Sequence, residues 1–274
     1  MAQIFRRETA LGGNRDLDAS LSELFHENTK LRRSMSGAAE GQGAFGVHEM
    51  EAMARAYKRY RSYPQTSLPP LPASLVGPPI ADVIAARRTS RNFAEAPLEL
   101  GDVAALLHWS YGVTGEAIMP GGARQQFRAV PSAGALYPAE LYLGVRAVNG
   151  LEPGVYHYEV PTASLALLDR GDPTPLLHEA CCRQDYARQA GIVVLMSAVV
   201  ERSRRKYGER GYRYALLEIG HLAENLHLAC TALGLAMVTT GAFFDDDMAD
   251  LLEIDGCDEA VMYVAFIGKR GGGS

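Results

Sequence analysis

The apolar positions of this chain follow two periodicities in turn. From Tyr212 to Leu233 they recur at helical spacing, with Leu216, Ile219, Leu222, Ala223, Leu226, Ala229, Cys230 and Leu233 on one side. This is the longest helix the sequence predicts, and Gly234 stands where a C-terminal cap belongs. Helices are also predicted over 80–87, over 100–111 (Val103, Leu106, Leu107 and Tyr111 sharing a side), over 176–182 and over 248–252. Alternation takes over at 140–146 and predicts a strand. Segments 154–160 and 164–168 predict a hairpin, and the apolar run 191–200 predicts a buried central strand. Strands at 235–239 and 260–267 complete the pattern. Hairpins mixed with long helices point to an α+β fold rather than a repeating βαβ unit.

The first 75 residues read differently. Leu21, Leu24, Phe25 and Leu31 predict a short helix, 36–46 is rich in small residues and is expected to be mobile, and 49–60 reads as helical again. The proline-dense stretch 64–79 is extended. It serves as a strap over the core or, on the alternative reading, as a PxxP-type docking ligand. The expected organisation is an N-terminal helical extension and proline-rich strap over 1–75, a main domain over 76–270, and a flexible Gly-Gly-Gly-Ser tail over 271–274.

Composition narrows the function classes. A 274-residue chain with 47% hydrophobic residues builds a sizeable core. A net charge of -5 argues against nucleic acid as a partner. No apolar run has membrane-spanning length, and the N-terminus lacks an apolar signal core, so a soluble cytoplasmic protein is expected. Cys181, Cys182, Cys230 and Cys257 form no C-x-x-C pair, and neither a metal nor a disulfide is assigned to them. His221, Asn225 and His227 on the long helix are read as packing or surface residues. Glu218 is read as a cap or the partner of an arginine.

Five stretches carry chemistry. Arg87-Arg88-Thr89-Ser90-Arg91-Asn92-Phe93 crowds guanidinium forks and hydroxyls at a helix end, which suits a phosphate, or equally a basic surface turn. Val130 to Pro138 is a turn of small residues between two prolines, ahead of a strand. Such a turn lets a flat ring approach the backbone, or is an ordinary tight loop. Thr239-Thr240-Gly241 ends a strand. Gly268-Lys269-Arg270 places two cations after another. Arg205-Lys206-Tyr207-Gly208 is expected to form a basic loop before the longest helix. Neither a Gly-x-x-x-x-Gly-Lys phosphate loop nor a Gly-x-Gly-x-x-Gly turn after a strand occurs, so no nicotinamide site of the Rossmann type is expected.

These stretches resemble the FMN-dependent nitroreductase superfamily. The wording Ser132-Ala133-Gly134-Ala135-Leu136-Tyr137-Pro138 is closest to the SagB-type dehydrogenases, which oxidise azoline rings in ribosomally made peptides. The resemblance covers about 80–270. It implies a nitroreductase-like fold, an antiparallel-rich mixed sheet flanked by long helices, in a homodimer with FMN at the interface. It also implies that Arg87, Arg88, Thr89 and Arg91 hold the ribityl phosphate, with Lys269 and Arg270 near it. Pro131, Ser132, Ala133, Gly134 and Ala135 would reach the partner's flavin, and Thr240 and Gly241 would face its N5 edge. In ordinary nitroreductases an asparagine and a glutamine stand where Ala135 and Tyr137 stand here, which separates this chain from simple nitroreduction. Lys206 and Tyr207 match a catalytic Lys-Tyr pair. A lysine acting as a base has to shed its proton, with Arg204, Arg205 and Arg210 as candidate neighbours that favour this. The implied reaction converts thiazoline or oxazoline to thiazole or oxazole, with a cyclodehydratase as a possible partner enzyme. The rival readings are an NAD(P)H-dependent nitro or quinone reductase and a flavin-poor docking subunit of a peptide-modifying complex.

Overall fold

A computed structural model describes residues 20–31, 57–71, 77–119 and 121–272. The expected mobile stretch 36–46, most of the expected helix 49–60 and the last two residues of the tail lie outside the described residues. Helices, in chain order, are α1 (Leu21–Asn28), α2 (Ile80–Ala86), α3 (Leu100–Tyr111), α4 (Thr174–Ala180), α5 (Glu201–Tyr207), α6 (Arg210–Ala232) and α7 (Asp245–Leu252). Strands are β1 (Gln65–Ser67), β2 (Leu98–Glu99), β3 (Val113–Ile118), β4 (Arg124–Arg128), β5 (Ala139–Val145), β6 (Val148–Asn149), β7 (Gly154–Glu159), β8 (Ser164–Arg170), β9 (Ile192–Val199), β10 (Leu235–Thr240) and β11 (Glu259–Lys269).

Seven strands form one sheet in the order β1-β8-β7-β5-β9-β11-β10. Every pairing in it is antiparallel. The sheet is antiparallel-rich as expected, and the parallel pairing among the described residues is the small β2–β6 pair. β5 and β9 are buried along nearly their whole length, because helices cover both faces. One face packs Leu141, Leu143, Val194, Met196 and Ala265 against Leu106, Leu107, Ile219, Leu222 and Leu226 of α3 and α6. The other packs Tyr142, Val193, Leu195 and Phe266 against Leu177, Ala180, Met248 and Leu252 of α4 and α7. Each large apolar side chain buried this way contributes about 2 kcal/mol.

α6 starts two residues before the predicted span. It stops at Leu233, where Gly234 takes φ 69°. Residues 57–60, expected as helix, are instead an irregular segment tied to the sheet. Lys58 Nζ lies 2.6 Å from a Glu259 carboxylate oxygen, and the Tyr60 N–H donates to Glu159 Oε1 at 2.8 Å. The strap behind it adds β1 to the edge strand β8, pairing Gln65 with Ala166. The β3–β4 hairpin has no counterpart in the sequence reading. β3 alternates half-buried and exposed positions without an apolar face, so it offers little periodic signal. A Cβ on Gly220 of α6 would meet nothing within 4 Å among the described residues.

Candidate active site

The turn that leads into β5 carries backbone strain. Gly134, Ala135 and Tyr137 take φ of 63°, 54° and 46°. For the two residues that carry a Cβ, this left-handed region costs on the order of 1 kcal/mol each. Side chains from several elements hold the turn. The Tyr137 N–H donates to Ser132 Oγ at 2.9 Å, and Gln125 Nε2 donates to the Ala135 carbonyl at 3.3 Å. Arg202 Nη1 donates to the Tyr137 carbonyl at 3.0 Å, and the Arg128 N–H to the Tyr137 hydroxyl at 3.0 Å.

Beneath the turn lies a buried polar layer. The Arg128 guanidinium stacks on the rings of Tyr111 and Tyr137, 4.5 and 4.7 Å from their centroids. Glu218, expected to cap a helix or pair with an arginine, instead accepts from the Tyr111 hydroxyl at 2.8 Å and from the Ala139 N–H at 3.3 Å. Burial raises its carboxyl above the ordinary range, while the hydroxyls of Ser132 and Tyr111, the Ala139 amide and Arg128 pull it back. Glu140 goes the other way. Burial would raise it, but Arg202 at 2.6 Å, His157 at 2.8 Å and Arg128 hold it down to about 2.

Lys206 and Tyr207 meet this turn. A Cβ placed on Gly134 would lie 2.7 Å from Tyr207 Oη and 3.0 Å from Lys206 Nζ. Both residues belong to α5, so the basic loop expected there is a helix with its corner at Gly208 (φ 55°). The corner is tight: a Cβ on Gly211 would come within 2.6 Å of the Ser203 backbone. The Tyr207 ring packs edge-on against Tyr214 at 4.9 Å, and burial raises its phenol. Of the arginines expected to act on Lys206, Arg204 is matched by Glu209 at 2.6 Å and Arg205 by Glu201 at 3.7 Å. Arg210 donates to the Thr29 carbonyl at 2.7 Å.

The arginine cluster sits at the far end of the sheet. The Ser90 N–H donates to the Met237 carbonyl, Phe93 bridges to Arg270, and the Ala94 N–H donates to the Lys269 carbonyl. Residues 87–91 and 269–270 thus meet over the start of β10. Arg87 approaches His227, whose imidazole is lowered chiefly by burial. Arg88 donates to the carbonyls of Ala85 and Arg87, Arg270 donates to the Leu235 carbonyl, and Lys269 pairs with Asp102 at 2.6 Å. Thr89 stands between the Arg87–Arg88 pair and Arg91 in this segment. Arg91 reaches Tyr186, whose phenol also faces Thr240. Thr240 Oγ1 accepts from the Ala242 N–H at 3.0 Å, and a Cβ on Gly241 would meet nothing within 4 Å.

Register measures the separation. Met237 pairs with Ile267, Ile267 with Ile192 and Ile192 with Val145, whereas the turn ends at Ala139, opposite Ala198. The seven residues of β5 between these levels span roughly 20 Å. Within one chain, then, most predicted site residues form two groups, 131–135 with Lys206 and Tyr207 at one end and 87–91 with 269–270 at the other, while Thr240 lies between them at the level of Val264, Leu195 and Tyr142, with Gly241 next to it. Sequence reasoning missed Arg128, Tyr111, Glu140, Arg202 and the role of Glu218. Only Glu218 left a signal, as an acid on the apolar side of the longest helix.

The Nitroreductase family profile matches residues 84–269. The chain belongs to that family and is an oxidoreductase by membership. It is 39% identical over 175 residues to the nitroreductase-designated protein MJ1384 of Methanocaldococcus jannaschii, a match spanning 64% of this chain and 84% of that one. It is 30% identical over 178 residues to the trifolitoxin-processing protein TfxB of Rhizobium leguminosarum bv. trifolii, and 29% identical over 155 residues to the microcin B17-processing protein McbC of Escherichia coli. These matches span 63% and 54% of this chain but only 48% and 56% of the two relatives. A nitroreductase-designated structure from Anabaena variabilis superposes with a TM-score of 0.70 at 24% identity, covering 90% of this chain and 47% of the other. A chain of the E. coli microcin synthetase McbBCD complex superposes with 0.55 at 20% identity, covering 92% and 98%. Both structures share the fold.

Proposed function

We propose that this protein is an FMN-dependent dehydrogenase that oxidises azoline rings, thiazoline to thiazole or oxazoline to oxazole, in a ribosomally made peptide or a related small precursor. The observation that carries the reading is the contact of Lys206 and Tyr207 with Gly134. An amine and a phenol stand together at a turn of small residues. Two relatives whose names are those of peptide-antibiotic processing proteins support it.

Nitroreductase-family proteins typically bind FMN. The donor set here suits that group. Arg87, Arg88 and Arg270 offer guanidinium forks for a phosphate, with the Thr89 hydroxyl beside them. The open face at Gly241 and the small residues Ser132, Ala133, Gly134 and Ala135 suit a flat ring. Bound FMN supplies a two-electron acceptor. The rest falls to the chain. Lys206 Nζ, in its neutral form, takes the proton from the azoline ring carbon next to the peptide carbonyl. The Tyr207 hydroxyl orients the ring by hydrogen bonding. The layer of Arg128 and Glu218 keeps the turn in place beneath both.

The roughly 20 Å between the two groups of site residues favours a homodimer in which one copy supplies 87–91 and 269–270 and the other supplies the turn with Lys206 and Tyr207. An azoline must be made before it is oxidised, so an enzyme that closes cysteine, serine or threonine onto the preceding carbonyl, a cyclodehydratase, is the implied partner reaction.

Mass spectrometry of an azoline peptide incubated with the flavin-loaded protein under air tests the reading. Loss of two hydrogens per ring is the expected result; an unchanged peptide rejects it. The 39% identity to MJ1384, over most of that protein, favours a second reading as an NAD(P)H-dependent nitro or quinone reductase. Fast flavin bleaching by a nicotinamide cofactor, without any peptide, would select it.

A further inference from the structure

Helix α6 carries an acid where its pattern asks for an apolar residue. Ala215, Ile219, Leu222 and Ala223 of the same face lie in the core, and Glu218 among them is 2% exposed. A carboxyl buried there lowers stability unless its hydrogen bonds are used. Those of Oε1 are used on the turn, whereas Oε2 has no hydrogen-bond partner among the described residues. Oε1 accepts the Ala139 N–H at 3.3 Å and the Tyr111 hydroxyl at 2.8 Å, and that hydroxyl lies 2.9 Å from the Ala139 carbonyl. Both backbone groups of the residue where the turn becomes β5 therefore meet the Glu218–Tyr111 pair. Ser132, at the start of the turn, faces the same carboxyl.

The same helix holds the other half of the site. Gly211, in its first turn, packs on the Ser203–Arg204 backbone so closely that a Cβ would lie 2.6 Å from it. That contact ties α5, and with it Lys206 and Tyr207, to the start of α6. Two turns further along α6, Glu218 holds the segment those side chains meet.

We propose that Glu218 is a positioning residue: by gripping both ends of the Ser132–Ala139 turn from α6, it sets the gap between Gly134 and the Lys206–Tyr207 pair. The catalytic consequence rests on the reading of Lys206 and Tyr207 given above; the grip itself does not.

Hydrogen–deuterium exchange on the full-length protein, read by mass spectrometry, tests the grip independently of activity. Glu218→Ala is expected to speed exchange over 131–139 by roughly tenfold or more and to leave α3, α6 and β9 at parental rates. Glu218→Gln, whose amide oxygen accepts the same hydrogen bonds, is expected to restore protection. In the azoline assay Glu218→Ala is expected to lower kcat by roughly tenfold with KM nearly unchanged. Parental exchange over 131–139 in Glu218→Ala overturns the proposal. So does equal loosening of α6 and the sheet, which would mark Glu218 as a packing residue. If Glu218→Ala does not fold, Tyr111→Phe, which removes one donor and leaves α6 intact, is read in the same way. A change confined to 131–139, in a protein whose parent oxidises no azoline, upholds the grip and removes the reaction assigned to Lys206 and Tyr207.

Discussion

Gly134 is the residue on which the site turns. Its φ of 63° and the 2.7 Å to Tyr207 Oη left for a Cβ mean that any side chain there is both strained and in collision. Gly134→Ala is expected to displace Lys206 and Tyr207 and to lower azoline turnover by roughly 10²-fold, with flavin absorbance retained. Parental turnover in this variant would show that the contact plays no part. Lys206→Ala is expected to lose roughly 10²-fold or more and to keep both flavin and oligomeric state. Lys206→Arg should not recover the loss, because a guanidinium stays protonated and cannot accept a proton. An active Lys206→Arg enzyme would remove the base from this position.

At the scale of elements, the long helix and the sheet divide the work. α6 carries Glu218 and, through the Gly211 corner, α5, while β5 sets the length between the turn and the arginine cluster. Changing Arg87 and Arg88 together to alanine is expected to strip the visible flavin absorbance; full flavin occupancy in the double variant would refute the phosphate assignment. The central strand β5 has its own pH dependence through Glu140. Its carboxyl is lowered to about 2 in the fold, chiefly by Arg202 against the opposing effect of burial. A lowered carboxyl adds stability that is fully present above its unfolded value, near 4.5, and is lost as pH falls from there through about 2. Melting temperatures measured between pH 6 and pH 2 should drop in this window for the parent (roughly one group's titration). Glu140→Gln should be less stable at neutral pH, since it strands Arg202 and Arg128, and should lack that part of the acid drop. Parallel curves for the two proteins would exclude Glu140 as the group.

At the scale of the whole molecule, one face stays apolar and uncovered by the described residues. Leu216 and Leu217 of α6 are 41% and 55% exposed, Ile80 and Ile84 of α2 lie on the helix packed beside it, and Gly220 leaves room for a close approach. On the proposed homodimer reading, this face is where a second copy is expected to dock. Light scattering is expected to return twice the 29.6 kDa chain mass. Leu217→Glu is expected to shift the protein toward the monomer and to lose flavin with it. A flavin-loaded, active monomer is incompatible with a shared site.

The sequence by itself determined the elements and the chemistry of the motifs. Helical spacing located α6 and α3, alternation and apolar runs located β5, β7, β8, β9, β10 and β11, and the Ser132–Pro138 wording pointed to the family that residues 84–269 match. These signals are local, set by side-chain period and by the dihedral preferences of glycine and proline. What needed contacts between distant segments stayed out of reach. The β3–β4 hairpin has no apolar face to announce it, and residues 57–60, expected as helix, are held irregular by Glu259 and Glu159. That Lys206 and Tyr207 meet Gly134, some seventy residues away in the chain, and that the arginine cluster lies a full strand from both, was decided by strand order and register. Arg128 and Glu218 became a buried layer beneath the turn only because tertiary packing removed them from water and gave each a partner, hydrogen bonds to Glu218 Oε1 and the rings of Tyr111 and Tyr137 for the Arg128 guanidinium.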